Sequence, residues 1–258
     1  MNILLPVIIV AVIGLIAGVG LSLAAKFMAV PTDKKEEEIR ACLPGANCGA
    51  CGFSGCDGYA AALAKGEAEP DRCAPGGENT AKALAEILGV SVESKPKVAF
   101  IACKGNSEIT KEKYEYNGMQ SCLAASMFYS GPLECEYGCI GLGDCMRACP
   151  FGAISLKDGK PDVSEDVCVG CGKCVTVCPK GVISLIPKDR KTTVNCNNKD
   201  RGAAVVKNCS VSCIGCKMCE KVCEQGAIKV VDNLAVIDYD LCNGCGKCKA
   251  VCKRGVLI

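Results

Sequence analysis

The chain has 258 residues, a formal net charge of +2 and no histidine, yet 25 of its residues are cysteine. An odd cysteine count in a chain this long does not fit a secreted disulfide scaffold, and the missing imidazoles exclude a Rieske centre, histidine-ligated haem and a Ser-His-Asp triad. Aromatic residues are 4% and tryptophan is absent, so few large side chains anchor a core and metal groups are expected to supply much of the folding energy.

Residues 3–25 form an almost unbroken apolar run without charge, long enough for a bilayer-spanning helix. Met1-Asn2 lacks the basic start of a signal peptide. Lys26, Lys34 and Lys35 follow, so the positive-inside rule predicts a single-pass anchor over 1–26 in the cell membrane, with the rest cytoplasmic. Gly14 and Gly18 give this segment a small-xxx-small face suited to another membrane helix. Residues 27–41 are polar and read as a tether that turns into a helix.

A small four-cysteine domain is expected over 42–92. Cys48, Cys51, Cys56 and Cys73 are spaced C-x2-C-x4-C-x16-C, one thiolate set for one cluster. Glycines at 45, 49, 52 and 55 let the backbone curl around a cluster and offer N–H groups to its sulfurs. Residues 57–65 and 78–88 read as short helices.

Residues 93–134 connect this domain to two ferredoxin-like modules, 135–187 and 209–258, joined by a connector at 188–208. Each of four cysteine runs precedes a short apolar strand, at 152–156, 181–185, 226–230 and 255–258. The runs Cys168-x2-Cys171-x2-Cys174-x3-Cys178, Cys213-x2-Cys216-x2-Cys219-x3-Cys223 and Cys242-x2-Cys245-x2-Cys248-x3-Cys252 carry the spacing of [4Fe–4S] ferredoxins, in which the fourth cysteine ligates the neighbouring cluster. Zinc also uses C-x2-C pairs, but usually separates them by a long loop. Cross-ligation predicts the sets Cys213, Cys216, Cys219, Cys252 and Cys242, Cys245, Cys248, Cys223 in the second module. In the first module it predicts Cys168, Cys171, Cys174 and Cys149 for one cluster.

The other site of the first module is irregular. Aligned on Cys213–Cys223, the run Cys139–Cys149 places Leu142 opposite Cys216, leaving Cys139, Cys145 and Cys178 without a fourth ligand. Cys135 is the nearest candidate, Cys122 the next, and a [3Fe–4S] cluster the third. About five clusters are expected in all. Residues 98–103 resemble 192–196, so Cys103 and Cys135 parallel Cys196 and Cys209; with Cys135 taken into the irregular site, Cys42, Cys103, Cys122, Cys196 and Cys209 are not explained by the ferredoxin pattern, and the repeat pair is read as buried thiols or as a further metal site. Lys173, Lys217, Lys247 and Lys249 beside the motifs offset cluster charge or form a docking patch for an acidic carrier.

An apolar anchor, then Leu43-Pro-Gly-Ala-Asn-Cys-Gly-Ala-Cys-Gly-Phe-Ser-Gly-Cys56, then ferredoxin modules, resembles the B subunit of the Rnf complex over nearly the whole chain. The resemblance implies an α+β iron–sulfur subunit of a membrane complex that moves electrons between ferredoxin and NAD while pumping sodium ions or protons. Ferredoxin would be the donor, and the other membrane, flavin and iron–sulfur subunits the partners. No G-x-G-x-x-G follows a plausible strand, so no NAD site is expected on this chain, and nothing points to nucleic acid. A subunit of another membrane reductase or hydrogenase is the alternative; a redox-sensing or zinc-stabilised interaction module is the reading from a different class.

Overall fold

The computed structural model describes residues 4–27, 34–92, 95–105 and 108–258. Helix α1 is Leu4–Phe27. Its described side chains, residues 8–24, are all exposed. Among the described residues no helix is long and apolar enough to cross a membrane. The expected fold class is corrected here: the single transmembrane helix does not hold, and what stands is a small α+β chain.

Residues 28–33 of the expected tether lie outside the described residues. Their continuation, α2 (Lys34–Cys42), packs on α3 (Cys56–Ala64) and α4 (Gly77–Leu88). Their shared core holds Ile39, Leu43, Tyr59, Leu63 and Leu84. Tyr59 is fully buried, stacks obliquely on Phe53 at 5.4 Å, and donates its hydroxyl to the Glu69 carbonyl at 2.6 Å. A buried phenol needs such a partner. Gly89 ends α4 in the left-handed conformation that helix C-termini favour.

The first module is built from β1 (Lys97–Ile101), α5 (Cys122–Ser126), α6 (Asp144–Arg147), β2 (Ile154–Lys157), β3 (Lys160–Val163), α7 (Lys173–Thr176) and β4 (Ile183–Pro187). The second has α8 (Gly202–Asn208), α9 (Met218–Lys221), β5 (Ile228–Val231), β6 (Leu234–Ile237) and α10 (Lys247–Ala250). β2–β3 and β5–β6 are antiparallel hairpins, and each one-turn helix starts one residue before a run cysteine, at Cys145, Cys174, Cys219 and Cys248.

Each module closes with a strand taken from the segment before it. β1 pairs antiparallel with β4, Val98 opposite Ile186 and Ile101 opposite Ile183. In the second module Val194 bridges Leu257, and the N–H groups of Thr193 and Asn195 donate to Ile258 and Val256 carbonyls at 2.7 and 2.8 Å. The resemblance between 98–103 and 192–196 is therefore structural. Two cores follow, one around Ala99, Ile154, Val182 and Ile183, the other around Val194, Ile228, Leu234 and Val256, and cysteines line both.

β1 seats against the second cysteine run at Gly170, where an added Cβ would stand 2.3 Å from the Lys97 carbonyl oxygen at φ +68°. Gly181 shares the positive φ but has open space around it. Gly181→Ala should cost about 1–2 kcal/mol for the left-handed backbone alone. Gly170→Ala should cost that plus roughly 1–3 kcal/mol of overpacking. Thermal unfolding of the two variants checks the order; equal midpoints would remove β1 from its seat.

Candidate metal centres

In the helical domain, the loop before α3 brings Cys48, Cys51 and Cys56 towards Cys73. The Asn47 side chain accepts the Cys56 N–H at 2.8 Å and so fixes the loop. Burial, then the charges of Cys56, Cys51 and Cys48, push the Cys73 thiol up. The predicted set is thus brought together.

Two voids of nearly equal size lie in the two modules, one at the second cysteine run of the C-terminal module and the other at the first, irregular run of the module before it. Cys223, Cys242, Cys245 and Cys248 line the first, so the fourth cysteine of one run joins three of the next, as cross-ligation requires. Cys122, Cys139, Cys145 and Cys178 line the second. Cys122 therefore stands at the irregular site and Cys135 does not. Burial first, then the charges of Cys122 and Cys178, push the Cys145 thiol up to about 11.

The remaining predicted sets also gather. Cys171 is raised by burial and by Cys149 and Cys168, while Ala99 and Ala153 donate their N–H groups to the Cys168 and Cys149 sulfurs at 3.4 and 3.3 Å. Cys219 is pushed up to about 11 by burial and by Cys213 and Cys216. Cys252 goes the other way: burial opposes ionisation, but N–H groups of Leu257, Val256, Arg254 and Gly255 point at its sulfur and hold the thiol below its ordinary value. Among the described residues no three thiols or carboxylates converge tightly enough for a single metal ion. Four cysteines line each void, and thiols that raise one another's pKa are suited to a cationic group that deprotonates them.

Comparison with known proteins agrees. Residues 43–75 match a family described as "Putative Fe-S cluster", and 135–182 and 212–256 match "4Fe-4S dicluster domain". The chain is 44% identical over 242 residues to the B subunit of the Na(+)-translocating ferredoxin:NAD(+) oxidoreductase complex of Acetobacterium woodii, covering 93% of this chain and 73% of that one. It is 42% identical to the B subunit of a proton-translocating ferredoxin:NAD(+) oxidoreductase complex from Clostridium ljungdahlii (93% and 86% covered). It is 40% identical to the B subunit of an ion-translocating oxidoreductase complex from Methanosarcina acetivorans (91% and 89%). The chain belongs to this B-subunit family. It accordingly carries several [4Fe–4S] clusters.

Cys122 stands behind Cys135 on sequence alone, and the structure of this B subunit shows how a residue so far upstream arrives. Ser121 caps α5, and the Asp144 carboxylate at the start of α6 accepts the Leu123 N–H and the Ser121 hydroxyl, both at 3.0 Å. Arg147 binds the other Asp144 oxygen and donates to the Gln120 carbonyl at 2.7 Å. Aspartate stands here where the second module has Met218 at the start of α9. That exchange, next to the missing cysteine at Leu142, was the available sequence signal.

Burial opposes the Asp144 charge, but the Leu123, Ser121, Cys122 and Arg147 donors outweigh it and leave the carboxyl below its ordinary value. A depressed carboxylate stabilises fully above its unfolded pKa and loses that contribution only as pH falls through the folded one. Asp144→Ala should therefore cost about 1–3 kcal/mol, with the gap to the parent protein unchanged between about pH 8 and pH 5. Denaturant midpoints across that range check it; a gap that closes by pH 5 would count against the carboxylate as the clasp.

Proposed function

We propose that this chain takes electrons from reduced ferredoxin at its C-terminal module and delivers them towards partner subunits through clusters held by both modules and the helical domain. The chain is an iron–sulfur electron-transfer subunit of a ferredoxin:NAD oxidoreductase complex. Each [4Fe–4S] cluster, when bound, supplies one-electron redox chemistry.

The ligand sets in this reading are Cys48, Cys51, Cys56, Cys73; Cys149, Cys168, Cys171, Cys174; Cys122, Cys139, Cys145, Cys178; Cys213, Cys216, Cys219, Cys252; and Cys223, Cys242, Cys245, Cys248. The paired four-cysteine voids carry it, because cysteines from opposite ends of each module meet there. Helix packing supports a functional unit over 34–92, and strand pairing supports units over 96–187 and 192–258. The sets also succeed one another in space. A cleft is lined by both Cys73 and Cys168, and the Cys171 thiol feels Cys48. Cys174 in turn feels Cys145 of the irregular site.

The second module supports the donor end. Cys216 and Cys245 are the exposed cysteines of the chain, with exposed Lys217 and Lys247 beside them. Surface cations next to exposed ligands suit an acidic carrier. We place the clusters on the cytoplasmic side, where thiols stay reduced, and the chain at the membrane through its complex.

Two measurements test this. Reduced ferredoxin should reduce the isolated protein directly, and Lys217→Glu with Lys247→Glu should slow the bimolecular rate roughly 10-fold at low salt, with the difference fading at high salt; no transfer at competent concentrations would remove the donor role. Cys122→Ser should convert one four-iron signal to a three-iron signal by electron paramagnetic resonance. If Cys135→Ser does so instead, the ligand assignment is wrong.

A further inference from the structure

Four cysteines outside those five sets, Cys103, Cys135, Cys196 and Cys209, come from four separate segments and meet between the modules. Resting on the function proposed for the five sets, we infer that they hold a sixth [4Fe–4S] cluster, placed where the two modules join.

The convergence is built by backbone pairing. Residues 109–112 run between the two others: Thr110 bridges Cys209 and Glu112 bridges Leu133, so the segments leading into Cys135 and out of α8 flank one strand. Cys103 lies on the same side, since a Cβ on Gly105 would meet the Thr110 hydroxyl at 2.4 Å and the Cys103 sulfur at 3.7 Å. Cys135, Cys196 and Cys209 are buried, each at most 9% exposed.

The arrangement repeats across the two modules. Cys103 follows β1 and accepts the N–H of Cys139 at 3.4 Å; Cys196 follows the equivalent strand and accepts the N–H of Cys213 at the same 3.4 Å. Cys139 and Cys213 are the first ligands of their modules, so this site touches one neighbouring ligand set on either side. Cys135 and Cys209 each stand four residues before those ligands. Two cations repeat as well: Lys180 and Arg254, two residues after Cys178 and Cys252, anchor on the Ser130 carbonyl at 2.5 Å and the Cys209 carbonyl at 2.9 Å.

Asn198 shows what the sulfurs are prepared for. It is 1% exposed, and its Oδ1 accepts the Asp200 N–H at 2.7 Å. That bond turns its Nδ2 towards the Cys135 sulfur at 3.2 Å, while its own N–H faces the Cys196 sulfur at 3.5 Å. Amide donors aimed at sulfur are what a cluster-bound thiolate uses; a neutral thiol is a weak acceptor. The thiols also sense one another. Cys103 is raised by burial and then by Cys135 and Cys209, and Cys196 by burial and then by Cys213 and Cys135. With four sulfurs here, the six sets use every cysteine except Cys42.

The test is metal content of the full chain, purified and reconstituted anaerobically. About 24 irons and 24 acid-labile sulfides per chain are expected. Cys196→Ser and Cys209→Ser should each lose about four irons while the spectra of the other clusters persist, and Cys42→Ser should lose none. About 20 irons in the parent protein, with Cys196→Ser unchanged, would overturn the sixth cluster and leave the five-cluster reading standing. About 20 irons with one zinc per chain would overturn the cluster identity. An iron-free chain would overturn both readings. Because the parent count is decisive by itself, misfolding of a variant does not blur the result. Asn198→Leu, which keeps all four thiols, should retain the iron and shift one midpoint potential.

Discussion

Sulfur that is both buried and anionic must find a cation or an array of N–H donors, and the rest of this structure follows from that requirement. Desolvation is the largest influence on nearly every shifted thiol, including Cys73, Cys139, Cys145, Cys174 and Cys196. A chain with so few aromatic side chains meets the cost with metal and backbone together. The result is three small cores in which cysteines pack among alanine, valine and isoleucine. Cluster and core are the same object here, so the groups that tune electron transfer also hold the fold.

The two modules solve this requirement with one plan and differ where the plan is edited. Gly143, Gly172 and Gly246 open three of the one-turn helices in the left-handed conformation, and Lys217 adopts it at the fourth. The irregular site loses a cysteine from its loop at Leu142 and regains one from α5, held by Asp144. In the proposed ligand set the fourth sulfur thus comes from a different element.

Much of this was legible in the chain. Regular spacing suggests cross-ligation, and Cys223 and Cys178, each last in its run, do line voids beside the cysteines of the other run. The short helices near 57–65 and 78–88 and the strands after three of the four runs also appear where the apolar pattern placed them, while 255–258 is reduced to a bridge at Leu257. Cys122 was harder, because its position depends on a carboxylate clasp between segments 21 residues apart rather than on any local repeat. Cys135 was drawn to the irregular site by nearness in sequence, whereas Asn198, 63 residues on, holds its sulfur elsewhere. The apolar run at the N-terminus read as a membrane span on hydropathy alone, and among the described residues that reading fails.

The borrowed strands have a practical consequence for dissecting the molecule. A fragment cut where the sequence-expected modules begin, at Cys135 or Cys209, would leave behind β1 or residues 193–195 and bare the edges of β4 or of residues 256–258. Open edges of Ile183, Ile186 and Leu257 are templates for pairing with another chain. The smallest units that keep their edges covered begin near residues 96 and 192, ahead of the cysteines by which such modules are usually recognised.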